Sequence, residues 1–97
     1  MDLAREAGYV GGLCEGIAGL AGLAVELENW ERGIRLLAAT EELCRSLQHQ
    51  LSPTDAALYQ THLAAARNQV DPARFETLWA SGVRLSQAQA IEEALSV

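Results

Sequence analysis

The two cysteines and two histidines of this sequence, Cys14, Cys44, His49 and His62, are the side chains to weigh first for metal ligation or attack on a substrate. A zinc site needs several thiolate or imidazole ligands clustered at short spacing. Here the two cysteines lie far apart in the chain, and neither histidine sits in a carboxylate-rich motif. A cysteine nucleophile needs a neighbouring base or positive charge to draw off its proton, and Cys14 has neither close by in sequence. His62 reads as a surface or satisfied core histidine. Ser52, Ser81 and Ser86 fall beside helix ends, where capping explains them without catalysis. The expectation is therefore a chain with no catalytic centre, no metal and no cofactor. Trp30 and Trp79 read as anchors of a core.

Charge narrows the partners. The chain of 97 residues carries thirteen acids against seven basic residues, for a net charge of −6. Every basic residue is arginine. Nucleic-acid binders present a basic stripe, whereas these arginines are scattered and outnumbered. Nucleic acid and anionic membrane surfaces are disfavoured as direct partners. The phosphate-reaching lysine of a P-loop has no counterpart. The beginning of the chain, MDLAREAGYV, lacks the positive region of a signal peptide, and two distant cysteines make no disulfide framework. A cytoplasmic location is the expectation.

The elements that must position these residues are helical. Alanine and leucine dominate, β-branched residues are scarce, and no run alternates for the length of a strand. GGLCEGIAGLAGLAV (11–25) holds five glycines and one charge, Glu15. It is shorter than a membrane span, and no strand precedes it as a dinucleotide fingerprint requires. A helix apolar nearly all round predicts burial nearly all round, so this segment is expected to be the inner helix of a stack. Residues 2–8 look like the end of a helix, and the first complete helix is expected over about 11–27. A second, over about 30–49, opens at Asn29. It places Trp30, Ile34, Leu37, Cys44 and Leu47 inward and Glu31, Arg35, Glu42 and Arg45 toward water. Ser52-Pro53-Thr54-Asp55 and Asp71-Pro72 each start a helix, over about 53–69 (Tyr59, Leu63 and Ala66 inward) and 72–83 (Phe75, Leu78, Trp79 and Gly82 on one face). Val70 and Phe75 have staple spacing. Ser86-x-x-Gln89 is a capping-box match opening a last short helix with Ala88, Ile91, Ala94 and Leu95. The fold class is all-α, one domain over 1–97, built of antiparallel helical hairpins.

GIAGLAGLAVELENWERGIRLLAATEEL resembles a degenerate tetratricopeptide-type repeat, with small residues Ala21 and Gly33 where two helices approach and Leu20 and Leu37 as packing residues. The strict repeat carries an aromatic residue and a proline where this chain has Ala24 and, nearby, Arg45. Over about residues 3–95 the order of GIAGLA, ERGIRLLAATE, Pro53 to Tyr59 and FETLWASGVRLSQAQAIEEAL resembles the C-terminal repeat region of bacterial signalling ATPases and LuxR-like or adenylate-cyclase-linked transcriptional regulators. That resemblance implies a right-handed tetratricopeptide-like solenoid fragment with a C-terminal capping helix. It also implies a protein-interaction scaffold, with the ATPase and DNA-binding activities lying elsewhere. In such arrays the first helix of each pair lines a groove. The resemblance assigns that role to Glu15, Ala18, Gly22, Val25 and Glu26, whose spacing also puts them on one helical face. Such a face, small in the middle and acidic at its ends, suits a protein or peptide helix bearing small residues or arginines.

The expected function is a protein-interaction module of a bacterial regulator. The alternative is a purely structural cap of a repeat array, and a small enzyme stands behind both. Two further expectations concern assembly and thiols. Apolar surface on the 11–25 helix, with a polar cap of Glu92, Glu93 and Ser96 at the other end, predicts a homodimer through the N-terminal hairpin, or an equivalent contact within a longer chain. Cys14 and Cys44, each about fifteen positions from the 28–29 turn, should meet at one level of that hairpin as reduced, packed thiols.

Overall fold

Helix starts are written into this chain by caps. The Ser52 hydroxyl accepts the backbone N–H of Asp55 at 3.3 Å, with Pro53 at the first helical position. Ser86 and Gln89 close a reciprocal box, Gln89 N to Ser86 Oγ at 3.1 Å and Ser86 N to Gln89 Oε1 at 2.9 Å. Asn29 and Asp71 occupy cap positions without a side-chain bond. The structure, a computed structural model, describes residues 3–97, with side chains from residue 12 onward. Among these residues there are five helices and no strand: α1 (Leu3–Glu26), α2 (Trp30–Ser46), α3 (Pro53–Gln69), α4 (Pro72–Val83) and α5 (Gln87–Leu95).

Two boundaries differ from the sequence expectation. The segments drawn at 2–8 and 11–27 are one helix from Leu3 onward, because the glycines between them lower helix propensity without forcing a break (Asp2 lies outside the described residues). The second helix ends at Ser46, not near residue 49. Both α1 and α2 end in a Schellman arrangement. Asn29 N bonds Ala24 O and Glu28 N bonds Val25 O, while His49 N bonds Cys44 O and Gln48 N bonds Arg45 O. The left-handed residue is Glu28 (φ 62°) in one and Gln48 (φ 52°) in the other. With no glycine at either place, neither stop carries its usual marker.

Burial inverts the expected roles of the first two helices. From Gly33 to Thr40 every residue of α2 except Arg35 is buried, including Leu36, Ala38 and Ala39, which lie off the predicted inner face. On α1, Gly12, Glu15, Gly16, Gly19 and Leu23 are exposed. Glycine has no side chain to bury, so an apolar count overstates how enclosed α1 must be. Arg35 meanwhile reaches out from a buried helix along its flexible stem.

Thus α2 is the central element. α1 and α4 pack along it, α3 lies against α1 and α2, and α5 rests on both α1 and α2. Against α2, glycine allows close approach at two places: a methyl group at Gly33 would sit 2.9 Å from Val25 Cγ2, and one at Gly82 would strike Ala38 Cβ at 2.7 Å and the Arg35 backbone. The core joins Ile17, Ala21, Val25, Ile34, Leu36, Leu37, Tyr59, Ala66, Phe75, Ala90 and Ala94, with Trp30 and Trp79 half-buried against it. Phe75 and Trp79 stack at 5.7 Å, and the Arg67 guanidinium caps Phe75 at 5.0 Å.

The last helix does not present all of its expected polar cap to solvent. It packs on α1 and α2. Glu93, expected in an outward polar cap, turns inward to Arg32 and Arg35 of α2, and Arg32 Nη1 also donates to the Ser96 carbonyl at 2.7 Å. Part of the α1 face expected to be open is consequently lined by Ile91, Ala94 and Leu95, beside Leu13, Ile17 and Leu20. No helix among the described residues is long and apolar enough to cross a membrane.

Candidate functional site

Between α1 and α3 runs a groove of about 280 Å³. Its α1 wall is Glu15, Ala18, Gly19, Gly22, Leu23 and Glu26, and its α3 wall is Asp55, Leu58, Tyr59 and His62. Four of the five positions expected from sequence therefore lie together. Val25 does not belong with them: it is 4% exposed and packs toward Gly33 of α2. At about 100° per residue Val25 stands at the edge of this face, next to the angle of Ala18, and its larger side chain is turned against Gly33 of α2 and into the core.

Gly22 makes the floor. A methyl group there would lie 2.6 Å and 2.7 Å from ring atoms of His62, so α1 and α3 approach with the imidazole laid directly over the glycine. His62 Nε2 meets Glu26 Oε1 at 3.3 Å, which fixes the ring across one end of the groove. Leu23 and Leu58 stand 41% and 51% exposed along its edges. With Glu15, Glu26 and Asp55 around them, the result is an apolar trough with an acidic rim. The α3 half was not anticipated, although Asp55, Leu58 and His62 share one helical face by their spacing.

A second concavity of about 410 Å³ lies where α2 ends and α3 begins, walled by Thr40, Glu41, Cys44, His49, Gln50, Leu51, Ala56, Tyr59 and Gln60. Cys14 on α1 is fully buried and Cys44 on α2 is half-buried, both as free thiols. His49 Nε2 is buried with no hydrogen-bond partner among the described residues. The Tyr59 hydroxyl donates to Leu37 O at 2.9 Å and also lies 3.2 Å from Glu41 Oε2.

The titrating groups here are restrained, not activated. Burial pushes the Cys44 thiol up to about 12, helped by Cys14 and by the charge of Glu41. Burial likewise pushes the Tyr59 phenol up, with Glu41 adding to it. Both groups stay protonated at neutral pH, the opposite of what a nucleophile needs. For Glu93 burial is the largest single influence and acts upward, but the hydrogen bonds and charges of Arg35 and then Arg32 together outweigh it and hold the carboxyl below its ordinary value. Among the described residues no three His, Cys, Asp or Glu side chains are grouped so as to hold a metal ion. In comparison with known proteins, no family model, no curated protein and no solved structure matches this chain.

Proposed function

We propose that this chain is a protein-interaction module, of the kind found in the tetratricopeptide-like part of bacterial signalling or transcriptional regulators, and that its α1–α3 groove receives a basic helix or peptide. The observation carrying this reading is the combination of an apolar trough, with Leu23 and Leu58 exposed at its edges, and a rim of Glu15, Glu26 and Asp55. An amphipathic helix with small residues on one side could approach the Gly22 floor while its arginines met the rim. The protonated Cys44 and Tyr59 speak for binding over catalysis.

The test is a fluorescently labelled helical peptide of alanine, leucine and arginine, titrated against the chain by anisotropy and by amide NMR. Shifts concentrated at Gly19, Gly22, Leu23 and Leu58 are the expected result. Glu15→Arg combined with Asp55→Arg should weaken binding about tenfold or more, equivalent to about 1.4 kcal/mol. Equal affinity for that variant, or shifts elsewhere on the molecule, would sink the proposal.

A homodimer through α1 is the second reading. It is favoured by the shallow apolar surface that α5 leaves around Leu13, Leu20 and Leu95, the last 75% exposed. Sedimentation equilibrium decides it. A strict monomer at tens of micromolar, or a dimer that survives Gly16→Glu together with Gly19→Glu, counts against that interface.

A further inference from the structure

Among the described residues lining the α1–α3 groove, His62 is the one that can gain a positive charge. The charged and titratable groups facing it are Glu15 and Glu26 from α1, and Asp55 and Tyr59 from its own helix. Tyr59 turns its hydroxyl away, to Leu37 O and Glu41 of α2, and leaves the charge of the groove to the carboxylates. The imidazole lies over Gly22, where a methyl group would stand 2.6 Å from its Cε1, and its Nε2 is 3.3 Å from Glu26 Oε1. The side chain of His62 is 18% exposed and that of Glu26 is 67% exposed. The ring is thus held between the floor of the groove and a rim carboxylate that still faces water.

Resting on the reading of this groove as a site for a basic helix, we infer that His62 is its proton-controlled switch: a proton taken up by the imidazole lowers the affinity of the groove for that helix. Imidazoles as a class change charge between pH 5 and 8, a range in which carboxylates stay ionised and arginine stays positive. With the ring neutral, the rim presents three carboxylates, Glu15, Glu26 and Asp55. An ionised carboxylate only accepts, so Nε2 carries the hydrogen and donates it to Glu26.

With the ring charged, two things change. Glu26 is paired within the chain and is no longer offered whole to an incoming arginine. A positive charge also stands beside the Gly22 floor, where the small-residue side of the helix has to approach. Both changes oppose a basic partner, and neither repels a neutral one. The shielding of the ring from water strengthens the second, because like charges repel more where solvent is excluded. Protonation of His62 and binding of a basic helix therefore disfavour each other, and by linkage they do so by the same factor.

The experiment uses the full chain and the labelled peptide of alanine, leucine and arginine, titrated by anisotropy at about pH 7.5 and about pH 5.5 at one ionic strength. Affinity should be about three- to fivefold weaker at the lower pH, the size of one charge–charge contact near water. In His62→Gln, which keeps a hydrogen-bond donor, the two affinities should agree whatever their common value. Calorimetry at about pH 6, in two buffers of different ionisation heat, reads the linkage directly. The peptide should release a fraction of a proton from wild type and from His49→Gln, and none from His62→Gln. Where His62→Gln does not fold, the release from wild type and from His49→Gln decides. Equal affinity at both pH values, an undiminished loss in His62→Gln, or a release that vanishes in His49→Gln would each overturn the switch and leave the groove as a binding site. No binding of the peptide at either pH would overturn both.

Discussion

Gly82 shows how much one missing methyl group decides. A Cβ there would press on Ala38 and on the Arg35 backbone of the central helix, which cannot swing aside as a side chain can. Gly82→Ala should therefore destabilise the chain by about 1–3 kcal/mol, although alanine is the better helix former; a urea midpoint measures it. Glu28 is the reverse case. It holds φ 62° at the end of α1, a conformation that costs an L-residue about 1 kcal/mol and glycine little. Glu28→Gly should raise stability by about 0.5–1 kcal/mol in the same measurement, and a loss would mean that the glutamate side chain contributes something that the turn geometry does not reveal. Both sites were visible in sequence as residues but not as roles. Spacing puts Gly82 on one face with Phe75, Leu78 and Trp79 but does not say how close α2 comes, and nothing about a glutamate announces a left-handed backbone.

At the level of elements, α5 is held by a half-buried cluster of charges. Glu93 binds Arg35 and Arg32, and its carboxyl titrates below the ordinary 4.5. A depressed carboxyl contributes stability that is complete above the unfolded value and is lost as pH falls through the folded one. Unfolding midpoints taken from about pH 6 down to about pH 3 should fall in wild type. In Glu93→Gln the curve should start lower and lose this part of its acid slope. An unchanged slope would show that the clamp contributes nothing net, as many exposed pairs do. Helix starts were legible because Ser52-Pro53, Asp71-Pro72 and Ser86-x-x-Gln89 are local signals. The site of α5 was not, because it depends on which distant surface Glu93 meets. The groove lies between these cases. Its α1 wall could be read from helical spacing except for Val25, which sits at the edge of the face, while the α3 wall required knowing that α3 would lie beside α1.

Across the whole molecule, thirteen acids against seven arginines give a field that draws cations toward the groove. If a basic helix is the occupant, its affinity should fall as salt rises, with most of the change in the association rate, since rim charges steer encounter more than they hold the complex. Stopped-flow mixing at two ionic strengths reads this directly. A salt-independent association rate would assign the binding to the apolar trough alone.

The burial of α2 also has a consequence in time. Synthesis proceeds from the N-terminus, and the helix that needs the most covering appears after α1 and before everything else described that lies on it. Until α3, α4 and α5 have left the ribosome, Leu36, Ala38 and Ala39 have no partner from the later part of the chain. A nascent hairpin of α1 and α2 would expose a strip of apolar helix for as long as α3 to α5 take to be made, several seconds at about 5–20 residues per second. During that interval the chain is a substrate for anything that binds bare helices, whether a chaperone or another nascent copy.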